Sequence, residues 1–268
     1  MMRSRRRGFK MSKMADIDEV MYSCGLEILH PGGLEKTDEM ARMCGIGRDK
    51  NVLDIGSGKG TTACYLARKY ICRVVGIDLS ERMVRYAYQT AKKKRIDDRV
   101  SFQKADALNL PFEDESFDIV LAECTTVLIN KEEALSEFRR VTKPGGHIGD
   151  LEMTWKKSPS SKLVERVYDI WEGFRTMTLE EWKELFEGVG LVDVRTADFS
   201  ETIPDMERVI KTELGMTGRT KMCCKLLLRS DLRKAMIESS RIFKDYADYF
   251  GYGYVVGRKT QRDFQQLL

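Results

Sequence analysis

The chain has 268 residues, of which 42% are hydrophobic and 33% are charged, as is typical of a soluble globular protein rather than a disordered or fibrous one. Lys and Arg number 46 against 42 for Asp and Glu, and five of the basic residues fall within the first ten positions. The rest of the chain is therefore nearly neutral, which argues against a protein whose main partner is nucleic acid.

Cysteine and histidine usage excludes further classes of protein. The 7 cysteines form no CxxC pair, and the 2 histidines, His30 and His147, are too few for a His-rich metal site. No apolar run reaches the roughly 20 residues that span a bilayer, and the basic N-terminus lacks the apolar segment of a secretory signal. We therefore expect a cytoplasmic protein with no membrane span and no metal centre.

The N-terminal part of the chain divides into a tail and a helical segment. Residues 1–14 are basic and aperiodic, which predicts a flexible tail. Within residues 15–47, apolar residues recur at helical spacing over 16–29 and 34–44, and the sequence His-Pro-Gly-Gly at 30–33 separates the two runs. We interpret these two helices as a lid that precedes the core.

Residues 48–199 alternate short apolar strands with amphipathic helices, and we interpret them as the ligand-binding core. The predicted strands are 51–55, 73–77, 100–103, 117–122, 147–153 and 191–197, and the predicted helices are 61–69, 81–94, 131–141, 162–174 and 179–189. Such alternation predicts a doubly wound α/β sheet, covered by helices on both faces, that binds its ligand at the carboxyl ends of the strands.

The last part of the chain predicts an insertion followed by a final strand. Residues 200–250 hold helical patterns over 205–214 and 226–249 and are rich in aromatic residues and methionine, which favours an apolar cap over a substrate. The final strand is predicted at 252–258, within residues 251–268.

A glycine-rich turn follows the first predicted strand, in the sequence from Asp54 through Gly56 and Gly58 to Gly60. Glycine allows a tight turn and lets a ligand contact the main chain, because any Cβ would occupy that space. The dinucleotide fingerprint GxGxxG requires Gly or Ala at position 61, where this chain has Thr61. The spacing GxGxG therefore disfavours a nicotinamide-dependent oxidoreductase.

Two acids add to this signal. Asp78 ends the second predicted strand, where a carboxylate can accept both hydroxyls of a ribose, although this holds for any adenosine ligand. Asp54 lies two residues before the first glycine, where it would repel a pyrophosphate but suits a ligand with a cationic amino acid portion.

Four segments in this order resemble motifs of the class I S-adenosylmethionine-dependent methyltransferases, including the UbiE-like, or type 11, branch. They read VLDIGSGKG, GIDLS, KADALNLPFEDESFDIVLAE and EFRRVTKPGG. The resemblance covers residues 48–153 and continues weakly to 199. It implies a Rossmann-like sheet of seven strands, the last one antiparallel, with S-adenosylmethionine lying across the ends of the first four strands.

The resemblance also assigns cofactor binding to residues at these strand ends: Asp54, Gly56, Gly58, Gly60, Asp78, Leu79, Asp106, Ala107 and Glu123. It implies that the glycines pass beneath the methionine portion, which Asp54 orients, and that Asp78 holds the ribose. Leu79 then lines one face of the adenine and the pair at 106–107 contacts its edge. Glu123 begins the segment that faces the methyl acceptor.

The reaction that the resemblance implies is transfer of the methyl group from S-adenosylmethionine to a small-molecule or lipid-like acceptor, by direct in-line displacement. Alignment of two reactants is worth about 7 to 11 kcal/mol, so no dedicated base is required. The candidates for a catalytic role are His30, Glu123 and Cys124.

Two alternative functions remain at this stage. Cys64 and Cys124 resemble the thiols of arsenite methyltransferases, and Cys223 with Cys224 would have to supply the third ligand. Ordinary buried cysteines explain the same pattern. The second alternative is a protein that binds S-adenosylmethionine without catalysis, as expected if the cap leaves no cavity for an acceptor.

Overall fold

A computed structural model describes residues 13–171, 173–202 and 206–261 of the chain. Its strands are β1 (Asn51–Ile55), β2 (Arg73–Asp78), β3 (Val100–Lys104), β4 (Phe117–Glu123), β5 (Thr142–Trp155), β6 (Leu191–Asp198) and β7 (Phe250–Lys259). Its α-helices are α1 (Lys13–Cys24), α2 (Gly33–Met43), α3 (Thr61–Tyr70), α4 (Glu81–Lys94), α5 (Lys131–Val141), α6 (Ser161–Ile170), α7 (Leu179–Gly188), α8 (Met206–Leu228) and α9 (Ser230–Asp245). Residues 1–12 of the predicted tail lie outside the described residues. Residues 13 and 14, which the sequence also assigns to the tail, belong to α1.

The seven strands form one sheet in the order β3-β2-β1-β4-β5-β7-β6. Neighbours from β3 to β5 pair in parallel, and β7 runs antiparallel to both β5 and β6. The predicted doubly wound sheet with an antiparallel last strand is confirmed. Because the chain moves outward from β1 to β3 and then returns to β4, the crevice between the carboxyl ends of β1 and β4 is the expected ligand site.

The hydrophobic core occupies both faces of this sheet. Along β1, Leu53 and Ile55 point to one face and Val52 points to the other, as the two-residue period of a strand requires. The first face packs against helices α5 to α7 and contains the buried indoles of Trp171 and Trp182. The second face packs against helices α2 to α4. Among the described residues, no helix is long and apolar enough to cross a membrane.

Two element boundaries differ from the sequence prediction because of glycine. The first helix ends at Cys24 rather than at residue 29, since Gly25 adopts a φ of +122°, which a helix does not permit. Strand β5 starts at Thr142 rather than at residue 147, and its first residues are irregular, with Gly145 at a φ of +78° and a register shift opposite β4. Neither change alters the strand order.

The insertion contains more helix than the sequence predicts. Helix α8 is interrupted at Gly215, with φ and ψ of 54° and −169°, and continues to Leu228 through the stretch that was expected to be irregular. A Cβ at Gly218 would lie 2.5 Å from the carbonyl oxygen of Cys24. The glycine therefore serves close packing against α1 rather than ending the helix.

Helix α1 packs against this insertion. Ile17 forms an apolar cluster with Leu232 and Ala235 of α9, and Leu26 forms another with Leu214 of α8. The two predicted helical segments at the ends of the core are therefore in contact with each other.

Candidate cofactor and acceptor site

The glycine loop follows β1 and leads directly into α3. Gly56, Gly58 and Gly60 all adopt positive φ angles, of 69°, 49° and 73°. A Cβ at Gly60 would lie 2.7 Å from the Phe102 ring, and one at Gly56 would lie 2.2 Å from the hydroxyl of Thr125. Both the backbone conformation and the surrounding space therefore require glycine at these positions.

Asp78 lies at the end of β2 and is bonded to the glycine loop. Its carboxylate accepts hydrogen bonds from the backbone N–H of Gly58 at 3.0 Å and of Ser80 at 2.7 Å. Burial raises the pKa of Asp78, and the two backbone N–H groups act in the opposite direction. A carboxylate has about four acceptor positions, so Asp78 can still accept bonds from a ligand while holding the loop.

Asp54 is an acid buried beneath the same loop. The residue is only 2% exposed, and its Oδ2 has no hydrogen-bond partner among the residues that the structure describes. Burial, followed by the charges of Glu123 and Asp78, raises its pKa well above the ordinary value. A buried carboxylate without a partner destabilises a fold, so this position suits a ligand that brings a positive charge.

Glu123, at the end of β4, contacts three hydrogen-bond donors from the other side of the crevice. It accepts hydrogen bonds from Thr37 of α2 at 2.6 Å and Thr62 of α3 at 2.8 Å, and its Oε2 lies 3.1 Å from Nε2 of His30. The side chains of His30 and Glu123 are 7% and 6% exposed. Burial opposes ionisation of Glu123, but His30 and the two hydroxyls hold its pKa below the ordinary value. Two of the three catalytic candidates are therefore in direct contact.

Cys124, the third candidate, follows Glu123 with a φ of 52°, an uncommon conformation for a residue with a side chain. Burial and the neighbouring acid Glu152 raise the pKa of its thiol well above the ordinary value, and burial raises the pKa of Cys64 to about 11. Both groups are therefore thiols and not thiolates at neutral pH. Across the described ranges, no three His, Cys, Asp or Glu side chains are placed to hold a metal ion.

The residues that the sequence assigns to an adenine lie at the neighbouring strand ends. Leu79 follows β2 and is 45% exposed, so its side chain is accessible to a ligand. Asp106 and Ala107 lie just beyond β3, where Oδ1 of Asp106 accepts a bond from the backbone N–H of Leu108 at 3.0 Å. The geometry thus places all nine predicted cofactor residues at the carboxyl ends of β1 to β4.

The sequence did not single out Lys59, which lies between two of the loop glycines. Its ammonium group donates hydrogen bonds to the carbonyl oxygens of Leu26 at 3.0 Å and Tyr22 at 3.3 Å, at the end of α1. It also lies 5.8 Å from the centre of the Tyr22 ring, and a Cβ at Gly58 would meet the Tyr22 hydroxyl at 2.9 Å. The presence of a lysine within the glycine motif could have drawn attention to this position. The motif does not show that the lysine contacts Tyr22 and Leu26.

A second overlooked group is a pair of buried acids on β5. Oε1 of Glu152 accepts hydrogen bonds from the backbone N–H of Thr126 at 2.7 Å and Val127 at 3.2 Å, in the segment after Cys124. Burial raises the pKa of Glu152 and of the neighbouring Asp150. Two acids at alternate positions of an apolar strand were the signal in the sequence.

Replacement of Asp54 by asparagine is expected to stabilise the cofactor-free protein at pH 8 by about 1 to 2 kcal/mol, because the carboxyl group is ionised in the unfolded chain at that pH and folding buries it where the charge is disfavoured. The folded-state pKa of Asp54 is raised, so its contribution to stability is present at low pH and is lost as the pH rises toward that pKa. The gain should therefore shrink at pH 5. Urea unfolding at both pH values measures it, with the exposed Asp97→Asn as control. A variant less stable than wild type at pH 8 contradicts this expectation.

Comparisons with known proteins agree with the geometry. A protein-family model described as a methyltransferase domain matches residues 52–146. The chain is 31% identical over 204 residues to norajmaline N-methyltransferase of Rauvolfia serpentina, a match covering 70% of each chain. It is 34% identical over 206 residues to the probable chloroplastic tocopherol O-methyltransferase of Oryza sativa subsp. japonica, covering 71% of this chain and 55% of that protein.

A solved structure shares the whole fold. Phosphoethanolamine N-methyltransferase 2 of Haemonchus contortus, in complex with phosphomonomethylethanolamine and S-adenosylhomocysteine, superposes with a TM-score of 0.69 at 22% identity. The match covers 91% of this chain and 57% of that one, so the chain spans little more than half of the Oryza and Haemonchus proteins. Fold and sequence matches point the same way, and the chain belongs to the class I S-adenosylmethionine-dependent methyltransferases, in the type 11 branch, with S-adenosylmethionine as its cofactor.

Proposed function

We propose that this methyltransferase acts on a small organic or lipid-like acceptor bound beside the glycine loop. The observation that carries the proposal is the bond between Asp78 and Gly58, which joins the ends of β1 and β2 into one cradle. When bound, S-adenosylmethionine supplies a methyl group that its sulfonium already activates. The protein then has to align the acceptor with that group and exclude water, for which orientation alone is worth about 7 to 11 kcal/mol.

We propose the cofactor-binding roles that the family resemblance implies, and the site geometry supports them. Asp78 accepts hydrogen bonds from the ribose hydroxyls with the acceptor positions left by Gly58 and Ser80. The glycine loop contacts the methionine portion, whose ammonium group offsets the buried charge of Asp54. The exposed face of Leu79 lies against the adenine, and residues 106–107 contact its edge.

On the acceptor side, we assign an orienting role to Glu123 because three donors already occupy its carboxylate. The contact with Glu123 occupies Nε2 of His30 and fixes the orientation of the buried imidazole. Nδ1, which lies 3.3 Å from the carbonyl oxygen of Pro31, is then the nitrogen that we propose as the base for an acceptor whose nucleophilic atom carries a proton, whereas a neutral nucleophile needs alignment only. The relatives named for tocopherol and for the alkaloid norajmaline support an organic acceptor.

We further propose that residues 15–47 and 200–250 act together as a lid over residues 48–199. Helix α1 contacts the insertion through Lys225, which donates to the Ser23 hydroxyl at 2.8 Å, and contacts the glycine loop through Lys59. Binding of S-adenosylhomocysteine at that loop should therefore increase hydrogen-exchange protection in α1 and in α8 and α9. Protection that remains confined to the glycine loop would show that these helices are not a lid.

A matched pair of variants tests the contact that couples the loop to α1. Lys59→Met should reduce the protection gained by α1 on ligand binding, because it removes both hydrogen bonds to the helix end. Lys92→Met, on the exposed side of α4, should leave that protection unchanged. Equal protection in the two variants would remove Lys59 from the proposed mechanism.

The proposed activity is tested with S-adenosylmethionine labelled in the methyl group and a panel of phenols, secondary amines, lipid-like quinols and arsenite. We expect label transfer to at least one organic class. Binding without transfer to any compound would favour the non-catalytic alternative. Transfer to arsenite alone, abolished by Cys124→Ser, would favour the arsenite alternative, which the buried thiols described above do not support.

A further inference from the structure

The second half of α8, residues 216–228, has two apolar faces. The inner face packs against the end of α1 and contains the buried Gly218 and the half-buried Met222. The outer face exposes Met216, Leu227 and Leu228, which are 84%, 72% and 85% exposed. These are the three most exposed large hydrophobic side chains among the described residues. Exposed leucines and a methionine on one helix mark an interaction surface rather than ordinary scatter.

Helical periodicity brings Met216 and Leu227 into one stripe, whereas Leu228 points about 100° away from Leu227. At 100° per residue, Met216 and Leu227 are separated by three turns and point in nearly the same direction, with Cys223 between them. A shallow groove of about 570 Å³ runs along this side of the helix, lined by Met216, Thr217, Thr220, Lys221, Cys224 and Lys225. The groove therefore lies beside the stripe and shares Met216 with it.

The cations beside the stripe outnumber the acids, although Arg229 is paired with Asp231, whose Oδ2 lies 3.0 Å from its Nη2. Arg219, Lys221, Lys225 and Arg229 fall between positions 214 and 230, and this segment contains no Asp or Glu. Arg219 and Lys221 are exposed on either side of the stripe. Long basic side chains can extend past an apolar stripe to reach negative charges at the edge of a surface.

We propose that the outer face of α8 docks on an anionic lipid surface. An amphipathic helix with apolar residues on one face and Lys and Arg beside them lies in the interface of a bilayer, and anionic lipids strengthen its binding. A second copy of the chain fits less well, because it would bring the exposed Arg219 and Lys221 of one copy against the same cations of the other. The groove is too shallow to enclose a ligand, which also favours a broad surface as its partner.

This docking deepens the proposed function, because it would bring the cap of the acceptor site against the phase in which a lipid-like acceptor resides. Only this link between docking and a lipid-like acceptor rests on the proposed function. Vesicle binding is measured without any methyl transfer, so the failure of one proposal is distinguishable from the failure of the other.

The experiment is co-sedimentation of the full chain with vesicles of phosphatidylcholine containing phosphatidylglycerol, and with vesicles of phosphatidylcholine alone. We expect binding to the anionic vesicles that weakens with added salt. Leu227→Glu should reduce the partition coefficient at least tenfold, and Arg219→Glu with Lys221→Glu should reduce it by about fivefold for each cation lost. Matched controls on other helices are Val164→Glu, which replaces an exposed valine of α6, and Lys92→Glu with Lys162→Glu.

Several outcomes would overturn the proposal. Among them are absence of binding to anionic vesicles, equal binding to neutral vesicles, and equal losses in the stripe and control variants. Concentration-dependent self-association in light scattering that Leu227→Glu abolishes would assign the stripe to a second copy of the chain. All variants are first compared by melting temperature, and Leu227→Ala provides a milder change if Leu227→Glu fails to fold.

Discussion

Replacement of Asp78 by alanine is expected to weaken S-adenosylmethionine binding by about 2 to 4 kcal/mol. The estimate takes two charge-assisted hydrogen bonds to the ribose at roughly 1.5 to 3 kcal/mol each as an upper guide. Part of the loss comes from the loop, because the variant also loses the bonds from Gly58 and Ser80 that hold the turn in place. Isothermal titration calorimetry at pH 7.5 measures the change.

Two further variants separate these contributions. Asp78→Asn lacks the negative charge and keeps one acceptor oxygen, so it can accept from only one of Gly58 and Ser80, and we expect an affinity and a melting temperature between those of wild type and Asp78→Ala. Asp97→Ala, an exposed acid on the loop between α4 and β3, should bind as wild type does. Unchanged affinity in a folded Asp78→Ala protein would remove Asp78 from the cofactor site.

Replacement of Gly60 by alanine is expected to reduce the free energy of unfolding by about 2 to 4 kcal/mol. A left-handed conformation costs a residue with a Cβ roughly 1 to 2 kcal/mol, and overpacking costs about 1 to 3 kcal/mol. Both apply here, since Gly60 has a φ of 73° and a new Cβ would lie 2.7 Å from Phe102 and 2.9 Å from Ala87. Urea unfolding followed by circular dichroism measures the loss.

The matched control is Gly188→Ala at the end of α7. No atom lies within 4 Å of a Cβ built at Gly188, and its backbone angles are open to any residue. We expect no loss of stability there and a small gain, because alanine favours a helix over glycine. If the two alanine variants lose equal stability, the packing argument for Gly60 is wrong.

The alternating strands and helices of the core could be predicted from sequence because their signals are local. Strand Asn51–Ile55 and helices Glu81–Lys94 and Lys131–Val141 have the bounds that the apolar periodicity predicts. The glycine motif and the acid of Asp78 likewise occupy fixed positions at strand ends, so their proximity follows from the strand order.

The rest depended on contacts between distant segments. The bond between Thr37 and Glu123 joins residues 86 positions apart, and no local pattern shows that His30 reaches the same carboxylate. Similarly, the helices predicted over 205–214 and 226–249 leave out most of the second half of α8, which contains Gly215 and Gly218. Only one of them interrupts it, and the other allows close contact with Cys24. The sequence alone does not show whether a glycine interrupts a helix or allows close packing within it.

The position of β7 also constrains how the chain can fold as it is synthesised. Strand β7 lies between β5 and β6 in the sheet, although it follows both of them along the chain. Until residue 259 has been made, β5 and β6 therefore have open edges, which invite pairing with other chains. Helix α1 is synthesised before every other described element, yet its Ser23 contacts Lys225, 202 positions later. We therefore expect the nascent chain to be vulnerable to aggregation through most of its synthesis, and a molecular chaperone to increase the yield of folded protein.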